Sequence, residues 1–401
     1  MQHGPQLLFA IGALLVLGIF AKSLLRRFAI PALVGYLLLG VGLGLLDGPL
    51  PLPDEAHRAL DVLADLGIVC LLFKVGLESD LQVLLRELPR ATIVLLTSMG
   101  TSFALGFGAA AALGLATIPA LFVGVALSAT SIAVAAFVWE GEGLLRTRTG
   151  ALVLDVAELD DLATVLLMVV LFAAVPALGG HGDAGLGAAI GPAVLDITLR
   201  IVAFGGACWM FARFGERRLT AGFRALRHAP DPMLIVVGTA LLVAAFAAWL
   251  GFSLAVGALF AGLVFSRDPR AVRVEASFEP VHDLLAPFFF VAIGSHLDLG
   301  ELDASLTLGA ALLLAAIVGK VGGTLLGLGR TAGTAAGWIV AVSMVPRAEV
   351  ALFVVDQGHR LLPDQVPAAL QGAMVIVVTA TCLATPPLLR WMIRRHGAGV
   401  E

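Results

Sequence analysis

The sequence predicts an all-α polytopic membrane protein, and this prediction rests on its composition, its apolar runs and the charge of its loops. Of 401 residues, 59% are hydrophobic and only 13% are charged, and the mean hydropathy is +1.00. A soluble domain carries about 25% charged residues, so this chain has too little polar surface to stay dispersed in water. The composition therefore places the chain in lipid.

Apolar runs long enough to cross a hydrocarbon core of about 30 Å recur along the whole chain. The first run is predicted to be retained rather than cleaved as a signal peptide, because Lys22, Arg26 and Arg27 follow the apolar stretch instead of preceding it. About thirteen transmembrane helices are predicted, at residues 5–25, 30–46, 61–78, 91–114, 117–138, 149–175, 194–214, 231–250, 252–266, 283–297, 304–328, 334–357 and 367–393.

The basic residues of the loops predict the orientation of these spans, because cytoplasmic loops collect Lys and Arg. With the N-terminus outside, the main basic clusters all lie in the cytoplasm, at residues 146–148, 213–227, 267–273 and 390–395. An odd number of spans then places the C-terminus in the cytoplasm as well.

The two halves of the chain also resemble each other. Three pairs of segments correspond at about the same offset: 31–40 with 253–262, 73–81 with 291–299, and 128–133 with 343–348. We predict two six-helix repeats, 1–193 and 231–401, joined by a linking helix and a basic cytoplasmic loop in 194–230. Because a single linking helix reverses the second half, the repeats are inverted, as in transporters whose site lies at mid-membrane between crossed discontinuous helices. Chance similarity of glycine-rich apolar segments is the alternative.

Asp160 and Asp161 are predicted to lie near the middle of the bilayer, about 16 to 18 Å along span 149–175. Each acid costs a few kcal/mol at that depth, which argues against a purely structural role as a hydrogen-bond partner. Adjacent residues point about 100° apart on a helix, so one acid can face a partner helix while the other faces a water-filled cavity.

Lys320, within span 304–328, is the natural partner for these acids. The chain has only three lysines and otherwise uses arginine for its positive charge. Arginine stays charged, whereas a desolvated lysine can release its proton. Lys320 is therefore either a proton carrier or a fixed counter-ion that neutralises Asp160, and the residues alone leave both open.

Two polar stretches predict helix breaks at similar depth. Thr130 and Ser131 supply hydroxyl and backbone oxygens that can coordinate a dehydrated cation, with ordinary packing hydroxyls as the alternative. In the second half, Pro346 removes an amide donor and frees a carbonyl. Arg347 and Glu349 are expected to support the helix ends at the crossing rather than to bind the cation.

Several classes of function find no support. The loops carry no basic, aromatic-interleaved patch, so nucleic acid is not an expected partner. No nucleophile–base set or metal cluster of the kind an enzyme needs is readable, and no cofactor is expected. The cysteines Cys70, Cys208 and Cys382 lie far apart in apolar runs, so the sequence shows no recognisable disulfide framework or zinc site.

These segments together resemble the bacterial cation:proton antiporter-2 family of monovalent cation:proton antiporters. The resemblance covers nearly the whole chain and rests on segments that follow in order: 31–44, 76–78, 128–133, 159–162, 288–294 and 344–350. One departure is Ala348, which stands where the family pattern has glycine.

The resemblance implies the sodium:proton antiporter fold of core and dimerisation domains, a homodimer, and a place in the bacterial cytoplasmic (inner) membrane. It implies that Asp161 is the main cation and proton ligand, that Asp160 pairs with Lys320, and that Thr130 and Ser131 belong to the crossed-helix site.

The predicted function is exchange of a monovalent cation, Na⁺ before others, for H⁺, electrogenic and by alternating access. The partners are then the transported cation, protons and lipid, with pH homeostasis as the cellular role. The main alternative is a K⁺ efflux pore or K⁺/H⁺ antiporter controlled by a separate cytoplasmic subunit. A symporter for organic anions or a sensor on the same scaffold would leave the acid pair and Lys320 without a use.

Overall fold

The computed structural model describes residues 4–27, 30–47, 54–78, 81–144, 147–179, 232–249, 254–265, 271–297, 302–329 and 333–396, together with the single positions 199, 206 and 210. Over these residues the chain is α-helical and contains no strand. The helices are α1 Gly4–Arg26, α2 Ala32–Asp47, α3 Asp54–Glu78, α4 Leu81–Ala112, α5 Thr117–Ser128, α6 Ile132–Gly141, α7 Arg148–Gly179, α8 Pro232–Trp249, α9 Leu254–Phe265, α10 Ala271–Ser295, α11 Leu302–Leu328, α12 Ala335–Ser343, α13 Glu349–Leu361 and α14 Ala368–His396.

The predicted spans correspond to these helices, and the all-α prediction is confirmed. The span at 194–214 and the basic loop that follows it lie outside the described residues, apart from the single positions. Within the described part of the chain, four stretches are both long and apolar enough to cross a membrane: Leu8–Arg26, Thr92–Ala112, Asp303–Leu328 and Ala368–His396. The count of thirteen spans stays a prediction.

Three helices are longer than the apolar runs that predicted them. Helix α3 begins at Asp54 rather than residue 61, α4 at Leu81 rather than 91, and α10 at Ala271 rather than 283. Hydropathy detects only the apolar part of a helix. The backbone hydrogen bonds continue into polar sequence such as Asp54-Glu-Ala-His-Arg58, whose residues tolerate a helix well.

Two of the predicted spans are each broken into a pair of short helices. Helix α5 ends at Ser128, and the chain is extended at Ser131, where φ is −98° and ψ is 102°, before α6 begins. Helix α12 ends at Ser343, and Pro346 lies in the non-helical segment before α13. Proline lacks an N–H and its ring clashes with the preceding turn, so a helix cannot run through unchanged. Both breaks lie where the polar stretches predict them.

The chain forms two compact units. One comprises Met1–Ala56, Val83–Met168 and Phe290–Glu401, and the other comprises His57–Gln82 and Val169–Phe289. Each unit thus draws on both predicted repeats, 1–193 and 231–401. The division of the chain into repeats is a separate prediction from these units and stays a prediction.

Each unit has its own apolar core. In the first unit, the fully buried Trp139 packs among residues of α4, α7, α12 and α14, and its indole Nε1 donates a hydrogen bond to Ser343 Oγ at 2.9 Å. In the second unit, the rings of Phe73 and Phe278 meet edge to face with centroids 4.9 Å apart. Alanines of α8 and α9 surround this aromatic pair.

Helices α4 and α11 approach each other closely along Gly319, Gly323 and Gly327, which are spaced four residues apart on one face of α11. A methyl group at Gly319 would lie 2.9 Å from Ser102 Cα, and one at Gly323 would overlap Thr101 Oγ1. Small residues at this spacing let the backbones of membrane helices come together. The approach also allows Thr101 Oγ1 to donate a hydrogen bond to the Gly319 carbonyl at 2.7 Å.

Glycines at corresponding positions of the two predicted repeats pack in corresponding ways. Gly35 of α2 packs against α1, where an added methyl would lie 2.9 Å from Ala21 Cβ. Gly257 of α9 packs against α8, where an added methyl would lie 2.6 Å from Ala247 Cβ. The helix pair α1–α2 and the helix pair α8–α9 are therefore closed by glycines at equivalent sequence positions.

Two further glycine contacts also involve positions that correspond in the predicted sequence repeat. A methyl at Gly40 of α2 would lie 2.9 Å from Gly294 Cα in α10, and a methyl at Gly262 of α9 would lie 2.8 Å from the Gly76 carbonyl carbon in α3. Gly40 corresponds to Gly262 in the sequence repeat, and Gly76 corresponds to Gly294. Each contact joins the second helix of one predicted repeat to the third helix of the other predicted repeat.

We expect Gly323→Ala to lower the free energy of unfolding by about 1–3 kcal/mol, because its methyl group would force α4 away from α11. Gly322→Ala is the matched control, since nothing lies within 4 Å of a methyl group there. Alanine should instead gain about 1 kcal/mol of helix propensity at that position. Thermal unfolding of the purified proteins in detergent measures the difference, and equal midpoints would contradict the close contact.

Candidate functional site

Asp160 and Asp161 lie on α7, and all residues discussed at this site belong to the first compact unit. Asp160 is the thirteenth residue of this helix, about 18 Å from its start at 1.5 Å per residue. Its side chain is only 1% exposed. The backbone of Asp161 continues the helix, and its side chain lies outside the described part of the structure.

Lys320 of α11 is fully buried and lies directly beside Asp160. Its Nζ is 2.7 Å from Asp160 Oδ1 and donates a second hydrogen bond, also 2.7 Å, to the carbonyl of Ser128. Ser128 is the last residue of α5, where carbonyls have no partner within the helix and carry partial negative charge. The ammonium therefore meets one full and one partial negative charge, which offset the cost of its burial.

The two helix breaks touch each other through their backbones. The amide of Ser131, at the start of α6, donates a hydrogen bond of 2.8 Å to the carbonyl of Pro346, in the break between α12 and α13. Extended backbone leaves amides and carbonyls free to bond outside their own helix. The bond therefore brings the two unwound segments together within the first unit.

Arg347 follows Pro346 and is also fully buried. Its guanidinium donates to the carbonyl of Met344 at 3.1 Å, where α12 ends, and to the carbonyl of Ala316 on α11 at 3.4 Å. The charge of Arg347 also interacts with that of Asp160. Arg347 thus satisfies a carbonyl left free at the end of α12, and it adds a second positive charge near the buried aspartate.

Helix α14 holds the backbone of Arg347 on both sides. The Arg347 amide donates to Thr381 Oγ1 at 3.1 Å, and its carbonyl accepts a hydrogen bond from Cys382 Sγ at 3.0 Å. Adjacent residues of one helix therefore supply one acceptor and one donor to the same peptide segment. Such paired bonds fix the direction in which the Arg347 side chain leaves the break.

Ala348 and Glu349 complete the second break. Ala348 has φ −142° and ψ −135°, so the position where the family pattern has glycine does not lie in the left-handed region. Glu349 is the first residue of α13. A carboxylate in the first turn faces the partial positive charge of the helix N-terminus and is stabilised there.

Two of the buried oxygens without a hydrogen-bond partner among the described residues belong to predicted site residues. They are Oδ2 of Asp160 and Oγ1 of Thr130, a residue only 4% exposed. Ser131 is equally buried, and its amide is used in the crossing. A buried oxygen without a partner costs about 1–3 kcal/mol, so these two atoms are suited to a ligand that supplies positive charge.

Further residues at this site carry chemistry that the sequence analysis did not identify. Thr164 is fully buried, has no hydrogen-bond partner among the described residues, and lies one turn after Asp160 on α7. Ser98, Ser102 and Thr324 share both properties. The available signal was the four-residue spacing from Asp160 to Thr164 and from Lys320 to Thr324, which places each hydroxyl on the face of a buried charge.

Three comparisons with known proteins agree with one another. A family model described as "Sodium/hydrogen exchanger, transmembrane" matches residues 11–394. The high-affinity Na⁺/H⁺ antiporter NhaS3 of Synechocystis is 29% identical over 343 residues, which are 83% of this chain and 71% of that protein. The Na⁺/H⁺-K⁺ antiporter GerN of Bacillus cereus is 28% identical over 390 residues, 96% of this chain and 95% of that protein.

A solved structure matches the fold along nearly the whole chain. The sodium proton antiporter MjNhaP1 from Methanocaldococcus jannaschii superimposes with a TM-score of 0.68 and covers 98% of both chains, at 16% sequence identity. At this identity the likeness concerns the fold.

The contact between Lys320 and Asp160 predicts a strong stability coupling. We expect Lys320→Met to destabilise the protein by about 3–5 kcal/mol, because it leaves the Asp160 carboxylate buried without the ammonium group that neutralises it. Adding Asp160→Asn to this variant should restore much of the loss, since the uncompensated charge disappears. Lys22→Met, at an exposed lysine, is the matched control and should change stability little.

Thermal unfolding of the two single variants and the double variant gives the coupling energy between Lys320 and Asp160. Purely additive losses would contradict the buried ion pair.

Proposed function

This chain belongs to the sodium/hydrogen exchanger family, and on that basis we propose that it exchanges Na⁺ for H⁺ at Asp160, Asp161 and Lys320. The family makes it a multi-pass membrane antiporter and not an enzyme. The ligands, the number of protons and the movement that switches access are parts of the proposal.

The observation that carries the proposal is the 2.7 Å contact between Lys320 and Asp160 at no more than 1% exposure. Such a pair contributes little net stability, because the loss of hydration cancels much of the attraction between its charges. The pair does allow Lys320 and a cation to compete for Asp160. A cation that binds Asp160 displaces the Lys320 ammonium, and a lysine in apolar surroundings that has lost its carboxylate gives up its proton readily.

Asp161 is the main ligand in this proposal, with Asp160, Thr130 and Ser131 completing the site for the transported cation. Alkali cations are hard ions that prefer oxygen ligands. The unpartnered Asp160 Oδ2 and Thr130 Oγ1 support this assignment, because a cation can use both atoms without first breaking a hydrogen bond. The cation is a substrate and passes through the site.

Two protons leave the site when one cation binds. One comes from the Asp161 carboxyl group, and the other comes from the Lys320 ammonium once its contact with Asp160 is broken. Exchange of two protons for one Na⁺ moves one net charge, so a membrane potential of 100 mV contributes about 2.3 kcal/mol per cycle. The transport is therefore electrogenic.

The helix breaks place partial charges around this site. The C-terminal end of α5 presents the Ser128 carbonyl to Lys320, and Glu349 faces the N-terminal end of α13. Discontinuous helices provide such fixed charges without adding ionised side chains. Pro346, Arg347 and Glu349 support the crossing in this proposal and do not bind the cation.

The inverted repeats 1–193 and 231–401 belong to the same proposal. The equivalent packing of Gly35 and Gly257 supports it, because unrelated helices would have no reason to place glycines at matching contacts. The linking helix and the basic cytoplasmic loop occupy 194–230. Thirteen spans then run from an outer N-terminus to a cytoplasmic C-terminus in the bacterial inner membrane, the chain acts as a homodimer, and a rigid-body movement of the core alternates access.

A second candidate is a K⁺/H⁺ antiporter, or a K⁺ efflux pore controlled by a separate cytoplasmic subunit. It is favoured by the similarity to GerN, which is described as a Na⁺/H⁺-K⁺ antiporter. The same oxygen ligands can also accept K⁺, because size and not charge distinguishes the two ions.

We expect Asp161→Asn to abolish exchange, because an amide neither releases a proton nor neutralises a cation. Asp303→Asn, an exposed acid in the first turn of α11, is the matched control and should exchange at the rate of the unmodified protein. Dissipation of a pH gradient by Na⁺ in proteoliposomes measures both. Sodium-driven proton flux that persists in Asp161→Asn would refute the assignment of the ligand.

The choice of ion and the electrogenicity can be tested in one series. We expect Na⁺ to dissipate the pH gradient at lower concentration than K⁺, and a potential that drives positive charge with the protons to accelerate exchange. The measurement compares alkali cations with and without a clamped potential. A response to K⁺ above that to Na⁺ would favour the second candidate, and K⁺ flux without proton movement would indicate a pore.

A further inference from the structure

Three buried hydroxyls on α4 and α11 differ from the hydroxyls of Thr97 and Thr101 on α4. Ser98 and Ser102 of α4 and Thr324 of α11 are each fully buried, and none has a hydrogen-bond partner among the described residues. Thr97 and Thr101 donate to carbonyls of their own helix at 2.8 and 2.6 Å. Ser and Thr within a helix can satisfy their hydroxyls in this way. The three buried hydroxyls do not use this bond.

The packing of α4 against α11 places Ser102 and Ser98 one after the other along the axis of α11. Ser102 lies level with Gly319, since a methyl there would be 2.9 Å from Ser102 Cα. Ser98 lies level with Gly323, since a methyl there would be 2.7 Å from Ser98 Cα. Gly319 directly precedes Lys320, so the two serines span one helical turn that begins beside the lysine.

Thr324 follows the same direction on α11. It lies four residues after Lys320 and therefore on the same face of the helix. Helix α11 ends at Leu328, about 12 Å beyond Lys320. The hydroxyls thus lie between the buried ammonium and the C-terminal end of α11, which is the cytoplasmic end in the proposed orientation.

The free-energy cost of burying these three hydroxyls implies that each has a hydrogen-bond partner. A buried hydroxyl without a hydrogen bond costs about 1–3 kcal/mol, and three of them would destabilise the contact between α4 and α11 substantially. Buried polar groups that the protein itself does not satisfy typically bond ordered water, and one such water makes about three hydrogen bonds. Three hydroxyls and an ammonium can hold a short chain of such waters.

We propose that Ser98, Ser102 and Thr324 hold a chain of water that carries protons between Lys320 and the C-terminal end of α11. This inference rests on the proposed function, in which Lys320 releases a proton. In each transfer an N–H bond of the ammonium breaks as an O–H bond forms on the adjacent water, and the excess proton passes on by the same exchange.

Asp160 of α7 contacts Lys320 directly, and Arg347 donates a hydrogen bond to the carbonyl of Ala316, one turn before Lys320 on α11. The three hydroxyls lie on α4 and on α11 itself. In this proposal the proton therefore leaves Lys320 along α4 and α11 and not through Asp160.

The test is the double variant Ser98→Ala/Thr324→Val in proteoliposomes. We expect Na⁺-driven exchange about tenfold slower, with the KM for Na⁺ unchanged and a larger decrease in rate when D₂O replaces H₂O. Both effects arise because proton transfer becomes rate-limiting. The matched control is Ser305→Ala/Thr97→Val, whose hydroxyls already donate to the carbonyls of Ala369 and Ile93. The control should exchange like the unmodified protein.

Other outcomes overturn the inference. An unchanged rate and isotope effect, or a raised KM for Na⁺ with an unchanged isotope effect, would show that these hydroxyls do not carry protons. Absence of exchange in the unmodified protein would instead overturn the proposed function.

Thermal unfolding of Thr324→Val alone provides a second test if the double variant does not fold. Replacing a dry hydroxyl by an apolar group of the same shape is neutral or stabilising, whereas replacing a hydrated one loses the bonds to water. We expect a lower midpoint for Thr324→Val, and a raised midpoint would overturn the water chain.

Discussion

Lys320 and Asp160 lie 2.7 Å apart with no more than 1% of either side chain exposed, and the local architecture follows from the need to satisfy both. Each charge would cost several kcal/mol if it were buried alone. Lys320 must therefore hold Asp160 on α7 and the Ser128 carbonyl at the end of α5 at the same time. One ammonium group thus determines where three helices meet, and any movement that separates them exposes an uncompensated charge.

The unwound segments meet a second requirement. They bring backbone amides and carbonyls to this depth, and each of these groups needs a hydrogen-bond partner. Because α5 ends at Ser128, its carbonyl has no partner within the helix and is free to accept a hydrogen bond from Lys320. Once the helices are broken, the freed groups need new partners. The amide of Ser131 bonds Pro346, and Arg347 bonds the carbonyl at the end of α12. Bonds from Thr381 and Cys382 then hold Arg347 itself in place.

The residues of this site whose placement in lipid costs free energy could be predicted from the sequence. Asp160, Lys320 and Pro346 each break the apolar pattern, so the helices that carry them and the positions of the breaks follow from composition and spacing. The start of α10 at Ala271 could not be predicted, because its first turns are polar and hydropathy detects only apolar sequence. The bond between Ser131 and Pro346 depends on how two segments cross, which spacing within either segment does not determine.

The hydrogen-bond partners of buried hydroxyl groups could not be predicted from the sequence for a different reason. Ser98 and Thr101 are alike in sequence terms, yet Thr101 bonds carbonyls and Ser98 has no partner among the described residues. Only side-chain rotamers and the approach of a neighbouring helix distinguish the two.

The bond between Ser131 and Pro346 joins main-chain atoms only. Any residue with an amide hydrogen can stand at position 131 and preserve it, so the crossing does not depend on the serine side chain. In the proposed site, where Thr130 and Ser131 bind the cation beside Asp160 and Asp161, the side chains at these two positions can therefore change without removing the hydrogen bond that joins the breaks.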